Sequence, residues 1–142
     1  MIDNFWGPNR FLSNFYPCVV EFEDSLYSSV EHAFQAAKSL DPLVRLQARK
    51  IVLPGNVKKF GRTIDLRPDW EEVQFWIMRS LVYKKFEDDE LAEKLLATGD
   101  EELIEGNTWG DTYWGVYNGK GQNNLGKILM EVRATTREDW FK

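Results

Sequence analysis

Apolar and polar residues change rhythm several times along this chain, and each change predicts an element. From Phe5 to Pro17, aromatics mix with turn formers such as Gly7-Pro8-Asn9 and Ser13-Asn14 without helical spacing, which reads as a loop. From Val19 to Phe22, Val20 and Phe22 alternate with Glu21 and Glu23, the period of a half-buried strand. Asp24-Ser25 predicts a turn and Leu26-Tyr27 a short returning strand. Ser28-Ser29 then opens a helix: Ser28 and Glu31 have the spacing of a capping box, while Val30, Ala33, Phe34 and Ala37 form its buried stripe. Pro42 ends it near Leu40. A second helix is predicted from Leu43 to Leu53, stopped by Pro54-Gly55. Asp69 caps the longest helix, Trp70 to Phe86, whose apolar residues wrap most of its circumference and place it at the centre of the fold. Glu90 to Ala97 forms another helix, ended by Thr98-Gly99, and the last comes after Asn123-Asn124 and buries Leu125, Ile128, Leu129 and Val132. The expected class is α+β, a mostly helical single domain over residues 1–142 with a small antiparallel sheet.

Composition narrows the setting. A chain of 142 residues with 43% hydrophobic and 29% charged residues suits one globular core and excludes a disordered or collagen-like chain. No apolar run approaches the roughly 20 residues needed to cross a bilayer, and Met1-Ile2-Asp3-Asn4 has neither a basic start nor an apolar segment, so the expected location is cytoplasmic, away from membranes. A net charge of −5 argues against holding nucleic acid by general electrostatics. The distribution is uneven: Arg45 to Arg62 holds six basic residues and no acidic one, and Glu87 to Glu105 holds nine acidic residues and one lysine. Each run is either a solvated helix face or a local feature, the basic one a phosphate site and the acidic one an interaction surface. Six of the ten glycines fall between Gly106 and Gly126, which marks a long irregular region of the kind that often carries function.

Candidate chemistry sits in two stretches. At about 100° per residue, Glu31, Gln35 and Lys38 share a stripe offset from the apolar one, a helix shoulder able to line a pocket with a carboxylate, an amide and an amine. Glu31 equally serves as a cap. The stretch Trp109-Gly110-Asp111-Thr112-Tyr113-Trp114-Gly115 offers aromatic faces for stacking on a flat base, with Asp111 as a second carboxylate; it equally reads as a loop packed on the core with Asp111 as a turn residue. Asn123-Asn124 reads as a helix cap. His32 and Cys18 are the sole residues of their types, so an internal disulfide and a histidine-built metal site are excluded and no metal or cofactor is expected. Phosphate-loop, dinucleotide and nucleophile-elbow motifs are missing.

Taken in order, Phe11-Leu12-Ser13-Asn14-Phe15, Tyr27-x-Ser29-Val30-Glu31-His32-x-Phe34-Gln35-Ala36-x-Lys38, Gly61-Arg62, Trp114-Gly115-Val116 and Gly121-x-Asn123-x-Leu125-Gly126-Lys127-Ile128-Leu129-Met130 resemble the NADAR (YbiA-like) family over nearly the whole chain. The Glu-His-x-Phe-Gln-x-x-Lys block is the most specific part. The resemblance implies an N-glycosidase that cleaves a ribose from an amine nitrogen. Two substrate classes are implied: ADP-ribose on the guanine amino group of nucleic acid, and phosphoribosylamino intermediates of riboflavin synthesis. The first is favoured because no deaminase or reductase is fused to this chain. It further implies Glu31, Lys38 and, more loosely, Asp111 as catalytic residues. Ser13, Asn14, His32, Gln35, Trp109, Trp114, Gly115 and Asn123 would line the site, with Arg62 on a phosphate. A reading from another class is a non-catalytic module that binds ADP-ribose or a nucleotide through the tryptophan loop and the basic stretch.

Overall fold

Glu23 and Asp24 adopt left-handed backbone angles, with φ of 45° and 71°, and two such residues in succession fold a chain back with the twist that a hairpin needs. The turn therefore lies one residue earlier than the expected Asp24-Ser25, because Ser25 already pairs with Phe22. The strands β1 (Val20–Phe22) and β2 (Ser25–Tyr27) form an antiparallel two-stranded sheet, with Val20, Phe22 and Tyr27 buried and Glu21 and Leu26 exposed. The computed structural model that shows this describes residues 1–141, and the chain packs as two units. The hairpin belongs to the unit formed by Asn14–Lys85.

In that unit α1 (Val30–Ala37) is capped by Ser29 rather than Ser28: the Ser29 hydroxyl accepts the His32 N–H at 3.1 Å, so His32 takes the third helical position that the capping box had reserved for Glu31. The Glu31 N–H instead donates to the Asn14 carbonyl. All eight residues of α1 are buried, the expected shoulder included, because helices α2 (Pro42–Lys50), α3 (Pro54–Gly61) and α4 (Trp70–Lys85) all pack against it and its small residues Ala33, Ala36 and Ala37 permit close approach. Pro54-Gly55, expected to stop a helix, starts α3. Proline at a first helical position loses no hydrogen bond, since that N–H has no partner inside the helix anyway. Asp69 does not cap α4 with its side chain. Both of its oxygens accept from the Arg67 guanidinium, at 2.7 and 3.1 Å, and that hydrogen-bonded pair holds the Asp69 carboxyl below its usual range.

The central role expected of α4 is also corrected. It buries Trp70, Met78, Leu81, Val82 and Lys85 along one side, while Trp76 is 63% exposed. An apolar surface all round a helix shows that it can be buried, and neighbours on one side only leave the other face to water.

The second unit, Met1–Ser13 with the chain from Phe86 on, begins with a 3₁₀ helix, Gly7–Leu12, where a loop was expected. Helix α5 (Asp89–Ala97) is capped by Asp88, whose carboxylate accepts the Leu91 N–H, and it packs on α6 (Asn124–Trp140). At 17 residues α6 exceeds the 16 of α4, which was expected to be the longest. Its buried face carries Leu125, Ile128, Leu129 and Val132 as expected. Between α5 and α6 the chain is held by single bridges, Ile2 to Leu103, Gly106 to Val116 and Tyr117 to Lys120. The architecture is α+β, mostly helical with one small antiparallel sheet, and no helix among the described residues is long and apolar enough to cross a membrane.

Candidate active site

Glu31 and Gln35 lie one helical turn apart on α1, and burial leaves them 6% and 5% exposed. Buried polar groups are costly unless they are bonded. The Gln35 amide meets part of that demand by donating from Nε2 to Glu31 Oε1 at 2.8 Å, while its own Oε1 is buried without a hydrogen-bond partner. Gly61 on α3 makes room for that amide: a Cβ there would stand 1.8 Å from Gln35 Oε1. One turn further along the same stripe is Lys38, the C-terminal cap of α1. Its backbone is fixed by Arg67, whose N–H donates to the Lys38 carbonyl at 2.7 Å.

The lysine side chain is differently placed. Among the described residues no hydrogen bond or ion pair ends on its Nζ. Burial lowers its pKa from the ordinary 10.5, the Glu31 charge pushes in the opposite direction, and the nearby cations Arg62 and Lys58 add to the lowering. Loss of hydration and like charges both penalise an ammonium, so a larger share of Lys38 is neutral amine than for a surface lysine. A carboxylate, an amide with a spare acceptor and a partly neutral amine on one helix stripe can bind a polar ligand, add to an electrophilic carbon or exchange a proton. No group of three or more His, Cys, Asp or Glu among the described residues is arranged to hold a metal ion.

Of the other candidates in this unit, Arg62 caps α3 and acts on Lys38 electrostatically. Asn14 contributes its carbonyl to Glu31, and its Nδ2 approaches Met78 Sδ at 3.5 Å. His32 faces inward. It is 1% exposed, its Nε2 donates to the Ile51 carbonyl at 2.7 Å, and its Nδ1 lies 2.6 Å from the Ser29 hydroxyl, so the ring ties α1 to the chain after α2.

The remaining candidates lie in the other unit and are largely spent on backbone. Ser13 closes the 3₁₀ helix by donating its N–H to the Arg10 carbonyl. One Asp111 oxygen accepts the N–H groups of both Tyr113 and Trp114, at 3.0 and 2.9 Å. Asn107, which the sequence reading passed over, holds the other side of this loop: its amide accepts the Asp111 N–H and donates to the Asp111 carbonyl. Asn123 is left-handed and makes no side-chain cap for α6, contrary to its reading as a cap. Its amide instead accepts the Glu105 N–H and donates to the Leu103 carbonyl. Gly115 admits no side chain, since a Cβ would sit 2.2 Å from the Glu105 carbonyl oxygen. The exposed Trp109 meets Trp6 edge to face, with centroids 6.5 Å apart, and Trp114 meets Tyr113 likewise at 4.8 Å.

The sequence reading also missed two lysines. Lys58 stands four residues before Arg62, a helical spacing that would have paired them had α3 been expected. Lys85 is 2% exposed, its Nζ lies 5.7 Å from the centroid of the Tyr16 ring, and burial pushes its pKa down to about 8.

The chain resembles known proteins over most of its length. The family model for the NADAR domain matches residues 4–137. The chain is 40% identical over 139 residues to the N-glycosidase Npun_R5314 of Nostoc punctiforme, covering 93% of this chain and 88% of that protein. It is 39% identical over 125 residues to the N-glycosidase YbiA of Escherichia coli K12, covering 85% and 78%. The riboflavin biosynthesis protein VVA0006 of Vibrio vulnificus is 39% identical over 143 residues, which span 94% of this chain but only 38% of that longer protein. The NMR structure of E. coli YbiA superposes with a TM-score of 0.86 at 35% identity, covering 99% of this chain and 88% of that one.

Proposed function

The chain belongs to the NADAR family and is a hydrolase of N-glycosyl bonds, and on that premise we propose that it releases ADP-ribose from the guanine amino group of nucleic acid, with Glu31 and Lys38 acting on the sugar. The observation that carries this reading is the Lys38 amine, partly desolvated, engaged by no hydrogen bond or ion pair among the described residues, and within the field of the buried Glu31 carboxylate.

Cleaving a ribosyl–nitrogen bond builds positive charge on the anomeric carbon, which a nearby carboxylate stabilises. Glu31 serves that charge and orients water, with Gln35 holding one of its oxygens. Neutral Lys38 adds through Nζ to the anomeric carbon as the base departs with its bonding electrons and takes up a proton. Ring opening converts that adduct to a Schiff base, and water then returns the free lysine and the sugar. Each such role is worth several kcal/mol of barrier, at about tenfold in rate per 1.4 kcal/mol. The cations Arg62 and Lys58, whose charges reach Lys38, suit a diphosphate better than a single phosphate, which favours ADP-ribose. Asp111, the second carboxylate that the family resemblance implies, takes no step here, since one of its oxygens already accepts two backbone N–H groups. A second reading, hydrolysis of a phosphoribosylamino intermediate, draws on the riboflavin-related Vibrio relative.

Incubating the protein with ADP-ribosylated guanine in an oligonucleotide, and separately with a phosphoribosylamino pyrimidine, decides between them. Release of ADP-ribose from the first is expected, together with a borohydride-trapped sugar adduct on Lys38 seen by mass spectrometry. Release only from the second substrate selects the riboflavin-type reading, and binding without release from either makes the protein a reader. Trapping that never marks Lys38 during active turnover removes the covalent route.

A further inference from the structure

A cavity of about 370 Å³ opens between the β1–β2 hairpin and α2, and it shares no lining residue with the Glu31–Lys38 site. Tyr27, Arg45 and Arg49 supply its polar lining, Leu40 and Leu46 its apolar lining, and Glu23 its acid. Arg45 and Arg49 are one turn apart on α2, and the Nε of each donates to a backbone carbonyl, Arg45 to Ser39 at 2.7 Å and Arg49 to Leu26 at 2.8 Å, with the Arg45 guanidinium also over the Phe22 ring, 5.2 Å from its centroid. That anchoring fixes both planar guanidinium groups while leaving most of their terminal N–H donors unused. Arg45 Nη2 is buried with no partner, Arg45 Nη1 has only Glu23 at 3.4 Å, and among the described residues nothing bonds the terminal nitrogens of Arg49. Tyr27 is 3% exposed, and its hydroxyl has no hydrogen-bond partner among the described residues. A buried guanidinium nitrogen left unpaired is unusual in a folded protein and marks a place where a ligand can complete the bonding.

We propose that this cavity is a second ligand site, one that takes a small phosphate monoester bearing an apolar or aromatic body. Two fixed guanidinium forks and a phenol offer the donor geometry that phosphate oxygens accept, and guanidinium binds them bidentately. Leu40 and Leu46, 59% and 39% exposed, cover the body of the ligand. The volume is that of a small-molecule pocket. The donors converge on one concavity and an acid stands among them, which fits a single phosphate group and opposes an extended polyanion such as a nucleic-acid strand. Because Arg45 holds the Ser39 carbonyl, the site adjoins the segment just after Lys38.

Titration of the full chain with phenyl phosphate, inorganic phosphate and phenol, monitored by amide and Arg Nε NMR signals, tests the assignment. Phenyl phosphate is expected to shift residues 23–27 and 40–49 and to bind at least tenfold more tightly than the other two probes. Arg49→Gln is expected to weaken it at least tenfold, Tyr27→Phe about threefold, and Glu23→Gln to strengthen it. Leu46→Glu, which leaves the arginines in place and adds a charge at the cavity, is expected to abolish binding, and melting curves of each variant establish that it is folded. Lys38→Met is expected to change nothing here, so failure of the proposed catalytic reading and failure of this one are separate results. The proposal is overturned by any of four results: no binding at millimolar phenyl phosphate, binding lost in Lys38→Met but kept in Arg49→Gln and Leu46→Glu, inorganic phosphate matching phenyl phosphate, or a DNA strand without a terminal phosphate outcompeting it.

Discussion

Helix α1 and the loop from Asn107 to Asn123 are both rich in polar side chains, and they use them in opposite ways. In α1 most of the backbone bonds within the helix, so Gln35 keeps a buried carbonyl oxygen, and Lys38 an amine that no group among the described residues occupies. The loop has no ladder, and its buried backbone groups must find partners elsewhere. Asn107, Asp111 and Asn123 supply them. Regular backbone leaves side chains available for chemistry, whereas irregular backbone consumes them.

The largest expected effect that tests this contrast is on turnover. Glu31→Gln preserves shape and is expected to lower kcat by about 10²–10⁴-fold, the range for a positioned proton-transfer or charge-stabilising group, with the melting temperature little changed. Near-normal kcat in a folded variant removes the Glu31 carboxylate from the mechanism. Asp111→Ala comes next: losing the acceptor for two backbone N–H groups is expected to cost about 1–2 kcal/mol, read from a denaturant midpoint. Asp111→Asn keeps that acceptor and is expected to retain both stability and turnover. If the asparagine variant folds normally yet loses a hundredfold in kcat, Asp111 is a proton handler and the contrast between loop and helix breaks.

A smaller effect is expected at Gly61→Ala, which displaces the Gln35 amide from Glu31 and lowers kcat about tenfold, equivalent to about 1.4 kcal/mol, with modest change in the denaturant midpoint. The smallest concerns pH. Lys38 is nucleophilic only after losing its proton, so activity rises with pH along a limb centred below 10.5. Glu31 raises that pKa, so the residual activity of Glu31→Gln is expected to show the limb moved to lower pH. A limb that stays in place means that the two side chains do not sense each other.

Much of the fold was legible locally. The alternation around Val20, the Thr98-Gly99 stop and the apolar stripe of α6 each depend on near neighbours, and each appears close to where it was read. Errors of one residue at Ser29 and at the hairpin turn arise because two adjacent residues could each serve. Helix α3 was missed because Pro-Gly is a stop signal after one helix and a start signal for the next, and only the residues downstream of it distinguish the two. The exposed face of α4 was unreadable for a different reason: Trp76 is apolar, and nothing in its own segment says whether another element will cover it.

By itself, then, the order of residues determined most of the elements, the stripe that aligns Glu31, Gln35 and Lys38, and the family, because periodicity, capping and motif spacing are properties of short stretches. Tertiary structure alone decided that the whole of α1 is enclosed, that Lys58 and Arg62 act on Lys38, that Lys85 is buried, and that Arg45 and Arg49 face Tyr27. Those are facts about desolvation and approach, and they depend on surfaces that distant parts of the chain bring together.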